Sequence, residues 1–341
     1  MRRREFLAAI AGAAAVSPFA ARSASAQTAA NFYAGQTVHS LVGLSAGGGA
    51  DAHMRLVARY LGRYLPGRPT IVPQNMTGAN GLILANYLSN VAPRDGSTIA
   101  LLSSALLLQQ AVGRPGVQYD LEKLNWLGSA SPRTVSIIVV SSGSGIDSLE
   151  AAKQREVVLG GIGTGGITSS MPRLVNDLLG TKFKVVTGYP GSPELDLAIE
   201  RGEVQGRHYT WSGLKANHPD WIANTKVGIL LYSGERPADL NGVPSLSSLA
   251  PDPSDRLLVD IVRSGTELGF PFVTTPDVPA DRVAALRDAF ESAVADPDFI
   301  RDGEKVAMEL GLIPHTELEA MVHRVLTAPA DLLQRAKRYV E

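Results

Sequence analysis

The chain has 341 residues, enough for two domains, and its 45% hydrophobic and 19% charged residues are typical of a globular protein. Its 32 basic and 33 acidic residues leave a formal charge of −1 without a basic cluster, which argues against nucleic acid or an anionic membrane surface as partner. The lack of cysteine excludes disulfides, thiolate metal sites and a lipidated cysteine. The six histidines have no metal-ligand spacing, so neither a metal nor a cofactor is expected.

The first 26 residues have the features of an export signal. Arg3-Arg4 and Phe6-Leu7 resemble a twin-arginine signal, and the apolar run over 8–16 is too short to span a membrane. Small residues at 24–26 suit cleavage after Ala26. The sequence therefore predicts a protein exported to the periplasm.

Strand-like and helix-like segments alternate along the mature chain. Strands are predicted over 38–44, 70–73, 98–103, 135–141, 157–160, 184–187 and 227–232. Helices are predicted over 51–65, 82–89, 149–153, 167–179 and 193–202 and, after a connector over 237–253, over 279–294 and 318–340. This rhythm predicts an α/β fold with largely parallel sheets.

Two glycine-rich turns, over 45–51 and 161–166, each join a strand to a helix. Such a turn leaves backbone N–H groups unpaired at the positive end of a helix dipole, so it binds anions without a charged side chain. Ligands of open α/β sheets lie at the carboxyl ends of the strands. Two lobes with facing glycine turns therefore predict a cleft that closes by hinge motion.

The same two turns match catalytic patterns. Residues 43–47 have the G-x-S-x-G form of a nucleophile elbow, with Ser45 as nucleophile, but they follow the first strand of the mature chain and no oxyanion loop precedes them. His315 and His323, which could supply a base, are interpreted as surface helix residues. Residues 161–166 match the dinucleotide fingerprint, but the next strand ends without the acidic residue that would hold a ribose.

Other polar residues receive structural interpretations. His53 follows the first turn closely, and a solvated position of the first helix is expected for it, with a position lining the cleft as the alternative. The carboxylates of Glu194, Asp196, Glu200 and Glu203 are expected on a solvated face rather than as an acid–base pair.

Several short motifs occur in a fixed order from about Tyr33 to the C-terminal helices. They are Gly47-Gly48-Gly49-Ala50-Asp51, Asn75-x-x-Gly78-Ala79-x-Gly81, Ala92-Pro93-x-Asp95-Gly96-x-Thr98, the glycine turn over 161–166, Gly188-Tyr189-x-Gly191, Arg201-Gly202-Glu203-Val204-x-Gly206, and Pro279-x-x-Arg282-Val283-x-x-Leu286 before Asp296-Pro297. In order and spacing they resemble the solute receptors of tripartite tricarboxylate transporters, the Bug receptors.

The resemblance implies a two-lobed periplasmic binding protein of type II-like, Venus flytrap architecture. Each lobe would be a mostly parallel sheet flanked by helices. Residues 27–133 and 244–341 would form the first lobe, onto which the C-terminal helices would pack, and residues 134–243 the second.

The resemblance also implies which residues bind the ligand. In the first lobe they are Ser45, Ala46, Gly47, Asp51, Gly78, Ala79, Asn80 and Ser103, with Asp51 expected as an N-cap that organises its turn. In the second lobe they are Gly163, Thr164, Gly166 and Ser169, with Tyr189 closing over the ligand. Arg207, Tyr209 and Trp211 form either an aromatic or cationic end of the pocket or, for Trp211, part of the core.

The function implied is that of a monomeric, non-enzymatic receptor that captures a small organic acid and delivers it to membrane transporter subunits. Dicarboxylates, tricarboxylates and aromatic carboxylates all remain open as ligands. Two alternatives are a secreted serine esterase that uses Ser45 and a sensory receptor that feeds a histidine kinase.

Overall fold

The structure is a computed structural model that describes residues 29–340, apart from residues 45, 163–165, 190, 251 and 307. The predicted export signal and its cleavage after Ala26 lie outside the described residues. Within the described part of the chain, no helix is long and apolar enough to cross a membrane.

Eleven strands are present among the described residues. They are β1 (Thr37–Val42), β2 (Thr70–Asn75), β3 (Thr98–Leu101), β4 (Asn125–Ser129), β5 (Ser136–Ser141), β6 (Val157–Gly161), β7 (Phe183–Thr187), β8 (Gly206–Thr210), β9 (Val227–Ser233), β10 (Pro271–Thr274) and β11 (Ile313–Pro314).

The same residues contain fifteen α-helices. They are α1 (Ala29–Tyr33), α2 (Gly49–Tyr64), α3 (Leu82–Asn90), α4 (Ala105–Ala111), α5 (Leu149–Gln154), α6 (Ile167–Leu179), α7 (Ser192–Glu200), α8 (Trp211–Asn217), α9 (Pro219–Ala223), α10 (Leu246–Leu249), α11 (Pro253–Glu267), α12 (Ala280–Val294), α13 (Pro297–Glu304), α14 (His315–Leu326) and α15 (Ala330–Val340).

The strands form two sheets. The first has the order β11-β4-β10-β3-β1-β2 and the second the order β7-β6-β8-β5-β9. The first sheet takes its strands from two separate parts of the chain, so the chain leaves it after β4 and returns at β10. The predicted α/β class and two-lobed fold are confirmed, while the exact lobe boundaries stay a prediction.

Both sheets are mixed rather than mostly parallel. In the first sheet β1 pairs in parallel with β2 and β3, whereas β10 runs antiparallel to β3 and β4. In the second, β6 pairs in parallel with β7 and β8, whereas β5 runs antiparallel to β8 and β9. Each antiparallel pair includes β4, β5, β9 or β10, the strands next to the two points where the chain passes between the sheets. No βαβ unit connects such a pair, so its strands are not required to be parallel.

Amphipathic helices cover the sheets. The buried face of α2 carries Met54, Val57 and Leu61, which pack with Phe272 and Phe290 in the first core cluster. A second cluster contains side chains from both sheets and from α11, so α11 lies between the lobes. The helical spacing of the apolar residues in α2 and α12 is what fixes these faces.

The last helix differs from its prediction. The predicted helix over 318–340 is two helices, α14 and α15. Helix α15 packs on α11 and on α6 of the second lobe, where Tyr339 donates a hydrogen bond to Asp177 and Arg335 contacts Asp255 at 2.8 Å. Helix α15 therefore contacts the second lobe as well as α11, which the prediction assigned to the first lobe.

Candidate functional site

The loops after β1, β2 and β3 meet at the carboxyl edge of the first sheet. A Cβ added to Gly43, after β1, would lie 2.8 Å from the Cα of Gly81. A Cβ added to Gly81 would lie 3.0 Å from the Cβ of Ser103, after β3. Glycine at both positions therefore permits a close backbone approach that brings the three loops together.

The first glycine turn is held by the carboxylate of Asp51. Gly48 is the N-cap of α2 and Asp51 its third residue, so the predicted N-cap position of Asp51 is wrong. The Asp51 Oδ2 accepts hydrogen bonds from the Gly47 N–H at 2.9 Å and from the Arg55 Nε at 3.0 Å. The hydrogen bond from Arg55 is the main reason that the pKa of the Asp51 carboxyl lies below its usual value.

Asn75, the last residue of β2, connects this turn to the second loop. Its Nδ2 donates to the Asp51 Oδ1 and to the Leu44 carbonyl, both at 3.0 Å. Its Oδ1 accepts from the Arg55 Nη2 at 3.0 Å. Asn75 and Arg55 are positioning residues that the site prediction omitted, although Asn75 begins one of the motifs that carry the resemblance.

These bonds commit the Asp51 carboxylate and the Gly47 N–H to the turn itself. A ligand anion would instead meet the N–H groups of the first helical turn of α2, which have no intrahelical partner. The backbone there is accessible, because Ala46, Gly48 and Gly49 are exposed.

The second loop has positive φ angles at four successive residues, and two of them, Ala79 and Asn80, are not glycine. Gly78, Ala79, Asn80 and Gly81 have φ angles of 141°, 46°, 55° and 91°. An L-residue in the left-handed region costs about 1–2 kcal/mol, and such strain is concentrated at ligand clamps and other functional sites. The side chains of Ala79 and Asn80 are exposed beside the first turn.

The start of α6 supplies the second lobe's part of the site. Gly166 is the extended N-cap of this helix, and Ser169 and Ser170 are buried in its first turn. A Cβ added to Gly161 would lie 2.7 Å from the Ser169 Oγ, so Ser169 lies over the end of β6. The predicted residues Ser45, Gly163 and Thr164 lie outside the described residues.

A cavity of about 400 Å³ lies between α4, α6, α11 and α15. Ser104, adjacent to the predicted Ser103, lines it from the first lobe, and Gly166 and Ser170 line it from the second. Because α4 follows a strand of the first sheet and α6 a strand of the second, this is a space between the lobes. Tyr189 does not line the cavity but packs against the apolar cluster around Tyr209 and Trp211.

Arg207 and Tyr209 belong to a buried network in the second lobe. The Arg207 Nη1 lies 2.7 Å from the Asp196 Oδ1, with the two side chains 4% and 7% exposed. The Asp196 Oδ2 accepts from the Tyr209 hydroxyl at 3.1 Å and lies 2.9 Å from the His218 Nε2. The predicted solvated position of Asp196 is wrong, because α7 turns this residue toward the sheet together with Leu195.

Trp211 is a core residue. It is buried in the same apolar cluster as Tyr209, and its Nε1 donates to the Asp239 Oδ1 at 2.8 Å. The core interpretation is therefore confirmed for Trp211, and neither it nor Arg207 lines the cavity between the lobes.

The histidines occupy structural positions. His53 is buried, with its ring centroid 4.1 Å from that of Phe270 and its Nδ1 2.8 Å from the Gly49 carbonyl oxygen, so the predicted solvated position is wrong. His315 lines a groove with Asn125, the first residue of β4. Because β4 runs in the same direction as β1, this groove lies at the opposite edge of the sheet from the loop after β1.

The two mixed sheets, the crossing between them and the cavity at that crossing define the fold class of two-lobed periplasmic binding proteins. No family model matches the chain. The chain is 25% identical over 324 residues to a UPF0065 protein in the gbd 5′ region of Cupriavidus necator, with 91% of this chain and 90% of that protein covered.

Solved structures agree with this class. A TctC solute binding protein from Polaromonas has a TM-score of 0.68 and 20% identity, with 88% of this chain and 98% of that chain covered. The periplasmic binding protein BugD has a TM-score of 0.61 and 19% identity, with 90% and 98% covered. The resemblance to the receptors of tripartite tricarboxylate transporters is thereby confirmed.

Two further structures with this fold hold dicarboxylates. MatC from Rhodopseudomonas palustris, with bound malate, has a TM-score of 0.60 and 17% identity, with 90% of this chain and 99% of that chain covered. A protein of R. palustris with adipate has a TM-score of 0.61 and 17% identity, with 89% and 97% covered.

Proposed function

We propose that the protein is a periplasmic solute receptor that captures a small dicarboxylate between its lobes and delivers it to a membrane transporter of the tripartite tricarboxylate type. The cavity between the lobes, lined by the start of α6 and by Ser104 at the edge of the first sheet, is the observation that carries this proposal. The malate and adipate held by two proteins of the same fold support the ligand class.

Binding would proceed by closure of the lobes. The open form offers the N–H groups at the start of α2 and the strained loop at Gly78–Gly81 to one carboxylate. Closure adds contacts from the start of α6, and these extra contacts shift the equilibrium to the closed form. A micromolar dissociation constant requires about 8 kcal/mol, which a few charge-assisted hydrogen bonds of about 1.5–3 kcal/mol each, with apolar burial, supply.

The cellular setting of the proposal rests on the N-terminal sequence. The twin-arginine pattern and the small residues that suit cleavage after Ala26 support a periplasmic location of the mature chain, and BugD, which has the same fold, is described as a periplasmic binding protein. There it would act as a monomer without catalysing a reaction.

Thermal unfolding of the mature protein with a panel of acids tests the proposal. A dicarboxylate at a hundredfold its dissociation constant is expected to add about 2.7 kcal/mol of stability and to raise the melting temperature by several degrees. Malate, adipate, citrate and benzoate, each compared with its amide or ester, separate charge from shape. Unchanged melting with every acid would contradict the proposed receptor function.

The esterase alternative is tested on the same protein. A receptor that uses backbone N–H groups keeps its acid affinity in Ser45→Ala and hydrolyses no p-nitrophenyl ester. Hydrolysis by the wild type that disappears in Ser45→Ala would establish the esterase instead.

A further inference from the structure

Helix α15 connects the two lobes at a place away from the glycine turns. We infer that α15 carries a latch that holds the lobes in the open arrangement of this structure and that closure on a ligand has to release. The latch consists of the contacts that Arg335 and Tyr339 of α15 make with Asp177 of α6. This inference rests on the proposed function and extends it to the control of lobe closure.

Helices α14 and α15 are consecutive, but they are attached to different parts of the molecule. Helix α14 packs on β4 of the first sheet and on α4, the helix after β3. Helix α15, after a short connection over 327–329, packs on α11 and on α6, the helix after β6 of the second sheet. Because α11 packs in turn on α4 and α14, the two helices are fixed to the first lobe, and the contact of α15 with α6 crosses to the second.

Directional polar contacts fasten α15 to α6. The Tyr339 hydroxyl donates a hydrogen bond to the Asp177 Oδ2, and the Arg335 and Arg338 Nη2 atoms lie 3.7 Å and 3.6 Å from the same oxygen. Arg335 also lies 2.8 Å from the Asp255 Oδ1 on α11, which ties the latch to that helix. Tyr339 is only 4% exposed, so solvent screens its hydrogen bond less than the contacts of the more exposed arginines. The Tyr339 hydroxyl is therefore the main element of the latch.

The two halves of the proposed site are apart in this structure. No residue of the described loops over 46–51 and 78–81 lines the cavity that contains Gly166, at the start of α6. Closure must bring α6 toward these loops, and α6 moves with the second sheet, on which it packs. Asp177 lies on the same helix, about 16 Å from Gly166 at 1.5 Å per residue. It therefore moves relative to α15, and a hydrogen bond stretched to about 3.6 Å is lost.

The latch lowers the apparent affinity for the ligand. When the binding-competent form of a protein is only partly populated, the apparent dissociation constant rises in inverse proportion to that population. A hydrogen bond made only in the open form reduces the population of the closed form by its net contribution to stability. Removal of the bond should consequently tighten binding, although no atom of the ligand site changes.

Calorimetric titration of the wild type and of Tyr339→Phe with adipate and with malate tests the latch. The substitution removes the hydroxyl and keeps the buried ring. We expect Tyr339→Phe to bind about threefold to tenfold more tightly, the range that the net value of one hydrogen bond gives. Small-angle X-ray scattering of the ligand-free proteins should give a smaller radius of gyration for Tyr339→Phe than for the wild type, because more of the variant is closed.

Tyr33→Phe is the matched control. Its hydroxyl is also buried, and it donates to the Gly96 carbonyl at 3.1 Å within the first lobe. This variant should lose stability in urea unfolding but keep the affinity and the radius of gyration of the wild type. Unchanged or weaker binding by Tyr339→Phe would overturn the latch and leave the receptor proposal intact. Failure of adipate, malate and citrate alike to bind the wild type would overturn both.

Discussion

Each lobe contains an aspartate that binds an arginine, and the two pairs differ in burial. In the first lobe Asp51 contacts Arg55, whose side chain is 46% exposed. In the second lobe Asp196 contacts Arg207, whose side chain is 4% exposed. The first pair shapes a glycine turn beside a strained loop, whereas the second joins a regular helix to a regular strand inside the core.

The difference shows what each pair can do. Because the Arg55 side chain is half exposed, its interaction with the buried Asp51 is screened by solvent and adds little stability, so the main effect of this pair is on the shape of the turn that it holds. A buried pair has no water to replace a missing partner, so removal of one member leaves an uncompensated charge. The first pair therefore affects ligand binding through geometry, and the second affects the stability of the second lobe.

The largest expected effect follows from the buried pair. Asp196→Asn leaves the Arg207 guanidinium in the core without an anion and removes an acceptor from Tyr209, which should destabilise the protein by about 3–5 kcal/mol. Urea unfolding at pH 7 measures this loss. Ligand affinity, measured where the variant is folded, should not change, because Arg207 does not line the cavity.

Glu194→Gln is the matched control on the same helix. Glu194 is exposed in the first turn of α7, so the same loss of charge should change stability by no more than about 0.5–1 kcal/mol. Equal effects of the two substitutions would show that the Asp196 network does not stabilise the core.

A smaller and pH-dependent effect is expected at the first pair. In Asp51→Asn the turn loses its charged acceptor, and we expect a loss of about 1 kcal/mol at pH 7, limited by the exposure of Arg55. The folded pKa of Asp51 lies below its unfolded value. Its contribution is therefore complete above about pH 3.9, the unfolded pKa, and is lost as pH falls through the lower folded pKa.

Urea unfolding of both proteins between pH 3 and pH 7 measures this dependence. Other carboxyls with lowered pKa, such as that of Asp302, contribute equally to both proteins and cancel in the difference. A difference that keeps its full size down to pH 3 would contradict the role of the Asp51 charge.

The two pairs also show how much of the structure could be predicted from the sequence. The glycine turn before Asp51 is a local pattern between a strand and a helix, so its place at the carboxyl edge of a sheet follows from sequence order. The burial of Asp196 depends on Arg207, Tyr209 and His218, which come from other elements. Strand β8 was not predicted for the same reason. Its residues are mostly polar, and their burial depends on partners from other elements.

The site was predictable to a similar extent. The loops after β1 and β2 were identified from their glycines, and the start of α6 from its turn. The cavity wall was not, because α4, α11 and α15 come from distant parts of the chain and only tertiary packing brings Gln109 and Lys337 together.

The smallest expected effect distinguishes the strained loop from regular backbone elsewhere. Ala79 has a φ of 46°, which costs an L-residue about 1–2 kcal/mol, while glycine loses about 0.5–1 kcal/mol more conformational entropy on folding. Ala79→Gly should therefore raise stability by up to about 1 kcal/mol, as measured by urea unfolding. The same substitution at Ala284, an exposed position inside α12, should lower it by about 1 kcal/mol. A gain of stability in Ala79→Gly together with a loss in Ala284→Gly would show that the backbone at Ala79 is strained. Two losses of equal size would show that the loop beside Asp51 is not strained.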